Sequence, residues 1–235
     1  MVEDEQLLAN DGAAGGDEEA IIRFQLVRVP FFLEPGYLSK PDDFWETHDT
    51  RMIRKFGSKE AFDRVKAAHG LVPRAREVGI DGSIGFDQKA LDKRRQSSTL
   101  RAHRLVQFIA KEHSFVDSEK VYDLLNHKHF IEAGILNDMS LLLDACEQAG
   151  LQRQECARFL SSEEGAQEIL HTVDLVNSYG IHSIPTLVVD GKYMVNGASP
   201  ADEVAETLRR VVQGYTKQGA TPADNRLFAK SLGML

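Results

Sequence analysis

The chain has 235 residues, 42% of them hydrophobic and 27% charged, the balance of an ordinary globular protein. No run of about 18 apolar residues is present, so no transmembrane helix is expected. The formal net charge is −8. Most of that excess lies in residues 1–20, which hold Glu3, Asp4, Glu5, Asp11, Asp17, Glu18 and Glu19 and no Lys or Arg. The rest is nearly neutral, without the basic stripe that a nucleic-acid binder needs for counterion release. Residues 1–20 also hold Gly12, Ala13, Ala14, Gly15 and Gly16, and read as an acidic flexible tail. They lack the basic-then-apolar order of a secretory signal, so the expected location is cytoplasmic.

Ile21 to Val29 is rich in β-branched residues, with Phe24 and Leu26 alternating with Arg23 and Gln25 before Pro30 stops the run. This predicts a strand. Pro30, Pro35, Gly36 and Pro41 punctuate a loop carrying Phe31 and Phe32. Asp42 or Asp43 is a candidate cap for a helix toward Phe56, ended by Gly57. Ser58 opens another helix, to about Val78, and residues 81–87 read as a loop. Ser97, Ser98 or Thr99 caps the next helix, where Leu100, Leu105, Phe108 and Ile109 fall near helical spacing. A helical pair over 117–133 and 137–149 is hinged at Gly134 and ended by Gly150. A short helix near 153–160 precedes one over about 162–179, capped by Ser161 or Ser162 and closed by Gly180.

The period then changes. Thr186-Leu187-Val188-Val189 reads as a short strand, Asp190-Gly191 as a hairpin turn, and Tyr193-Met194-Val195 as a second strand. Pro200 sits near the start of a helix to about Gln213, followed by a loosely attached extension over 214–235. Strand, helical block, helix, hairpin and helix together fit an α/β layer interrupted by a helical insert.

Gly180-Ile181-His182-Ser183-Ile184-Pro185-Thr186-Leu187-Val188-Val189 is the most informative segment. Proline just before a buried strand lacks a ladder N–H and restricts its predecessor. A cis Ile184–Pro185 bond is one solution, although local propensity alone favours trans. This segment, continued by Asp190-Gly191-Lys192-Tyr193, resembles the C-terminal half of the DsbA family of thioredoxin-like proteins. The nearest resemblance is to its FrnE-like branch, related to 2-hydroxychromene-2-carboxylate isomerases and kappa-class glutathione transferases. Further matches, in the same order along the chain, are Arg23 to Pro35, Lys55-Phe56-Gly57-Ser58, Ser98 to Leu105 (with Ala102-His103-Arg104-Leu105) and His129 to Asp138.

The resemblance implies a thioredoxin-like α/β sheet with a large inserted helical subdomain. It divides the chain into a thioredoxin-like part over 21–41 and 162–213 and a helical insert over 42–161. It also implies a cis Pro185, with the Ile184 peptide group pairing with an extended substrate or with glutathione. The implied activity is thiol–disulfide oxidoreduction. That chemistry needs a Cys-x-x-Cys at a helix N-terminus, where the dipole and free N–H groups stabilise a thiolate. These residues contain none: the family's first strand and its motif have no counterpart before Ile21. Three arrangements follow. The flanking strands close up, or an edge stays open for a second copy or a partner's strand, or the sequence is part of a longer protein.

Cys146 and Cys156, ten positions apart, read as reduced core residues. No catalytic residue is therefore identified. Candidate substrate-binding residues are Ile184, Pro185, His182, Ser199 and His103. His182 adjoins the loop, and Ser199 opens the last helix where glutathione-binding relatives hold the γ-glutamyl group. His103 faces the same groove if the resemblance holds. Each also has a plain structural reading as an exposed loop residue, an N-cap or a packed histidine. His127 and His129, two apart, make a poor chelate, so no metal site is expected. No cofactor is expected other than glutathione. Expected partners are a thiol- or disulfide-bearing polypeptide, or glutathione. The alternatives are a non-catalytic peptide-binding module and a glutathione-dependent transferase or isomerase.

Overall fold

The computed structural model describes residues 26–68, 93–218 and 230–232. The expected tail over 1–20, the helix end at Val78 and the loop over 81–87 lie outside them, as does the first part of the 21–29 strand.

The described remainder of that strand, 26–29, is not a strand. Its polar groups go to helices instead. The Gln107 Nε2–H donates to the Arg28 carbonyl at 2.8 Å. The Arg28 guanidinium pairs with Glu119 and lies 4.0 Å from the Tyr122 ring centroid. Pro30 and Phe32 are buried, so apolar contact with helices takes the place of a sheet ladder.

After a 3₁₀ turn at Pro35–Ser39, β1 (Trp45–Thr47) pairs antiparallel with β2 (Arg95–Ser97), in the register Trp45↔Ser97 and Thr47↔Arg95. Three-residue strands show no legible alternation, and neither was expected. Helix α1 (His48–Phe56) starts later than expected because Thr47, not Asp42 or Asp43, caps it. The Thr47 Oγ1 accepts from the Thr50 N–H at 3.1 Å. Asp42 instead pairs with Arg101, and its carbonyl accepts from Asn137 Nδ2 at 2.7 Å. Gly57, at φ 83°, ends α1 in the left-handed region. Ser58 caps α2 (Lys59–Ala68), accepting from the Ala61 N–H at 3.1 Å.

The main core is helical. Helices α3 (Leu100–Glu112), α4 (Phe115–Phe130), α5 (Met139–Gln148) and α6 (Arg153–Leu160) converge on Leu105, Ile109, Val121, Leu142, Cys146 and Cys156. Ser114 caps α4 and Asp138 caps α5. A smaller cluster gathers Phe32, Ile169 and Leu232. Leu232 and Ser231, whose hydroxyl lies 2.9 Å from Thr172 Oγ1, dock on α7 (Ala166–Ser178). This part of the C-terminal extension is therefore attached, not loose.

Arg104 is the principal buried charge, 4% exposed. It donates to the carbonyls of Glu164 at 2.8 Å, Ser162 at 2.6 Å and Phe159 at 3.3 Å. Phe159 lies in the last turn of α6 and Ser162 and Glu164 follow it, where the dipole favours a cation. The same contacts explain why α7 begins at Ala166 and not near Ser162. The Ser162 and Glu164 carbonyls turn to Arg104, and Gly165, at φ 76°, restarts the helix.

The remaining elements are β3 (Thr186–Val189), β4 (Tyr193–Asn196) and α8 (Ala201–Gln218), which runs beyond Gln213. Asp190 and Gly191, at φ 53° and 63°, turn the β3–β4 hairpin. Replacing Arg104 by Ala takes the guanidinium donors from the Ser162 and Glu164 carbonyls, while the Phe159 carbonyl keeps the Ser162 N–H at 3.1 Å and the Ser162 hydroxyl at 2.7 Å. It is expected to cost about 3 kcal/mol in urea unfolding, with Arg104→Lys recovering only part because an ammonium cannot span all three. A loss under about 0.5 kcal/mol on the same scale would show that water replaces the guanidinium freely.

Candidate functional site

The loop from Gly180 to Pro185 is held at both ends. Gly180, at φ 72°, lets the chain leave α7. Ile181 is buried, and its N–H donates to the Val176 carbonyl at 3.3 Å. At the other end the Thr186 hydroxyl donates to the Ser183 carbonyl at 2.8 Å and reaches Asn196 Oδ1 at 3.2 Å. The Gly197 N–H donates to the Pro185 carbonyl at 2.9 Å, tying the loop to the end of β4. The Ile184–Pro185 peptide bond is cis.

Between these anchors His182, Ser183, Ile184 and Pro185 are exposed. The Ile184 side chain is 50% exposed, and its main-chain N–H and C=O have no partner among the described residues. One edge of β3 is taken by β4, in the register Thr186↔Asn196 to Val189↔Tyr193. No described strand lies along its other edge. Tyr193 and Met194 add apolar surface to the hairpin at 45% and 41% exposure. A stretch of unpaired backbone beside exposed apolar side chains is suited to receiving an extended chain.

The other sequence candidates lie as follows. Ser199 is half-buried just before α8, whose first turn is closed by the Val204 N–H donating to the Pro200 carbonyl at 3.2 Å. Pro200 thus immediately precedes the helix. His103, on α3, directs its polar contact to the chain entering the fold: Nε2 lies 3.3 Å from the Phe31 carbonyl. A carbonyl only accepts, so Nε2 carries the proton. The ring also meets Phe32 edge-on at 5.5 Å between centroids. Burial pushes the His103 pKa down to about 4, against the opposing effect of the Phe31 carbonyl, so the imidazole is neutral at neutral pH.

His129 is likewise buried and lowered, mainly by burial, with Nδ1 2.9 Å from the Gly134 carbonyl. Among the described residues no His, Cys, Asp and Glu group suits a metal ion. Cys146 and Cys156 are both fully buried in the helical core. The clamp formed by Arg104 was missed as a role, although the residue stood within a matching motif, because three carbonyl partners distant in sequence leave no local signal.

A helix–loop–hairpin–helix unit, with a proline at the start of the hairpin and a helical subdomain beside it, defines a thioredoxin-like protein. The DsbA-like thioredoxin domain model matches residues 70–209, and the chain belongs to that family. Its fold is similar to that of a probable DsbA oxidoreductase from Streptomyces coelicolor, with a TM-score of 0.62 and 24% identity over 83% of this chain and 76% of that one. No curated protein matches the sequence.

The histidines give a pH test. A folded-state value below the unfolded one means the unfolded chain binds the extra proton. Stability is therefore complete above the unfolded value of 6.5 and falls as pH drops toward the folded value of about 4. His103 accounts for a loss on the order of 3 kcal/mol across that interval. Urea midpoints for wild type and His103→Gln, taken at about pH 7 and about pH 4.5, should show a smaller acid loss in the variant.

Proposed function

We propose that this chain is a FrnE-like member of the thiol–disulfide oxidoreductase class that holds an extended, thiol- or disulfide-bearing polypeptide without supplying the attacking thiolate. The observation that carries this reading is the exposed Ile184, with its two main-chain groups unpartnered among the described residues, next to the edge of β3 along which no described strand lies. An incoming strand meets one donor and one acceptor there, and the β3 edge extends the ladder. The anchors at Ile181, Thr186 and Gly197 keep the loop in place, which limits the ordering cost of binding.

Chemistry is the weak half of the pair. A disulfide-exchange nucleophile needs an accessible thiolate at an electropositive position. The 235 residues hold no Cys-x-x-Cys, and both cysteines are buried away from solvent. Free thiols fit a reducing, cytoplasmic setting. His182 adjoins Ile184 on the loop and Ser199 lies just before α8, whereas His103 packs on Phe31 and Phe32. Glutathione, a smaller ligand with a terminal carboxylate, is the competing occupant.

The test titrates a fluorescent, reduced insulin B chain into the full chain. Saturable binding is expected, weakened at least tenfold, about 1.4 kcal/mol, by Ile184→Asp, because a carboxylate then faces the incoming backbone carbonyls. Insulin reduction by dithiothreitol should proceed at the rate without protein. Acceleration of that reduction overturns the non-catalytic part. Absence of peptide binding together with saturable glutathione binding replaces the peptide by glutathione.

A further inference from the structure

The two cysteines read from the sequence as separate core residues are brought together by the fold. Cys146 lies in the last turn of α5 and Cys156 in the first turn of α6. The helices are joined by 149–152, with Gly150 at φ 87° making the reversal. Two hydrogen bonds tie the two cysteine backbones to the short connection between the helices. The Leu151 N–H donates to the Cys146 carbonyl at 3.0 Å, and the Cys156 N–H donates to the Gln152 carbonyl at 3.2 Å. Both side chains are 0% exposed in one cluster with Leu142, Phe159 and Leu160. Each thiol is the largest influence on the other: Cys156 pushes Cys146 up, and Cys146 draws Cys156 down.

We propose that Cys146 and Cys156 are a redox modification site: an intramolecular disulfide, formed by exchange with a small disulfide such as oxidised glutathione, that staples α5 to α6. The helix ends assign the roles. A thiolate is favoured at the positive end of α6 and disfavoured at the negative end of α5, so Cys156 attacks and Cys146 resolves.

In the first step the Cys156 thiolate attacks one sulfur of oxidised glutathione. A Cys156–glutathione bond forms, the S–S bond of the reagent breaks, and one glutathione thiolate leaves and takes up the proton that Cys156 lost. In the second step the Cys146 thiolate attacks the Cys156 sulfur, and the second glutathione leaves and is protonated by the proton from Cys146. The protein dithiol loses two electrons and two protons, and one oxidised glutathione becomes two reduced.

Burial makes the exchange depend on local opening of the hairpin. Arg153, paired on the surface with Asp144 at 2.6 Å and Glu147 at 3.1 Å, bridges the two helices across that opening.

The experiment incubates the full chain with excess oxidised glutathione, quenches with acid, unfolds it and counts free thiols by alkylation and mass. The expected result is loss of both thiols, with one disulfide-linked peptide pair containing Cys146 and Cys156 and a raised thermal midpoint. Cys146→Ser should stop at a Cys156 mixed disulfide and react at least tenfold faster than Cys156→Ser. Arg153→Ala should speed oxidation of the wild-type pair several-fold, with circular dichroism confirming that each variant is folded. Two separate mixed disulfides, or no reaction until the chain is globally unfolded, would overturn the site. Equal rates for the two Ser variants would overturn the assignment of Cys156 as attacker.

Discussion

Arg104 is a charge almost wholly removed from water, and such a group is tolerated only where its donors are used. Its guanidinium reaches the carbonyls of Phe159, Ser162 and Glu164 and lies 5.1 Å from the Phe159 ring centroid. One residue on α3 therefore closes the end of α6 and determines where α7 begins. The consequence runs along the chain. Because α7 runs from Ala166 to Ser178, the loop that follows it leaves the helical body at a defined place. The position of the candidate site thus traces back to a hydrogen-bonded charge in the helical layer.

The loop itself is built by division of labour among neighbours. Ile181 is buried and supplies the anchor on the helix side. Thr186 and Gly197 supply polar anchors on the hairpin side. What is left over is a short stretch, 182–185, that the fold presents outward. The contrast between buried Ile181 and exposed Ile184, two isoleucines three residues apart, is the clearest sign that the surface there serves something other than the core. The cysteines show the opposite pattern. Burial keeps them out of the loop's chemistry, while the α5–α6 turn places them side by side.

Local signals carried much of this fold. Asp190-Gly191 announced its hairpin because few residues other than Gly, Asn and Asp accept positive φ. Gly57, Gly150 and Gly180 marked helix ends for the same reason, and the helix at Arg153–Leu160 fell where it was expected. The errors share a cause. The strand expected over 21–29 rested on β-branched residues and a short alternation, yet its described part, 26–29, packs on α3 and α4 because Arg28 and Gln107 offer those residues better partners than a ladder does. Asp42 had the chemistry of a cap but was drawn to Arg101 and Asn137, leaving Thr47 to begin α1. For His103 the packed reading stood beside the groove reading from the start, but the groups that pack it, Phe31 and Phe32, are far away in sequence.

By itself the sequence determined the helix ends at Gly57, Gly150 and Gly180, the hairpin turn, the proline before β3, the matching motifs and the lack of a paired-cysteine motif in these residues. All of these are written in neighbours a few positions apart, where glycine φ, side-chain capping and apolar period act. Only the tertiary structure decided that β4 pairs with β3, that Ile184 and not Ile181 faces outward, that Leu232 is part of a core, and that Cys146 and Cys156 meet. Those outcomes depend on distant groups competing for the same hydrogen bonds and the same buried volume, and that competition is resolved only when the whole chain is packed.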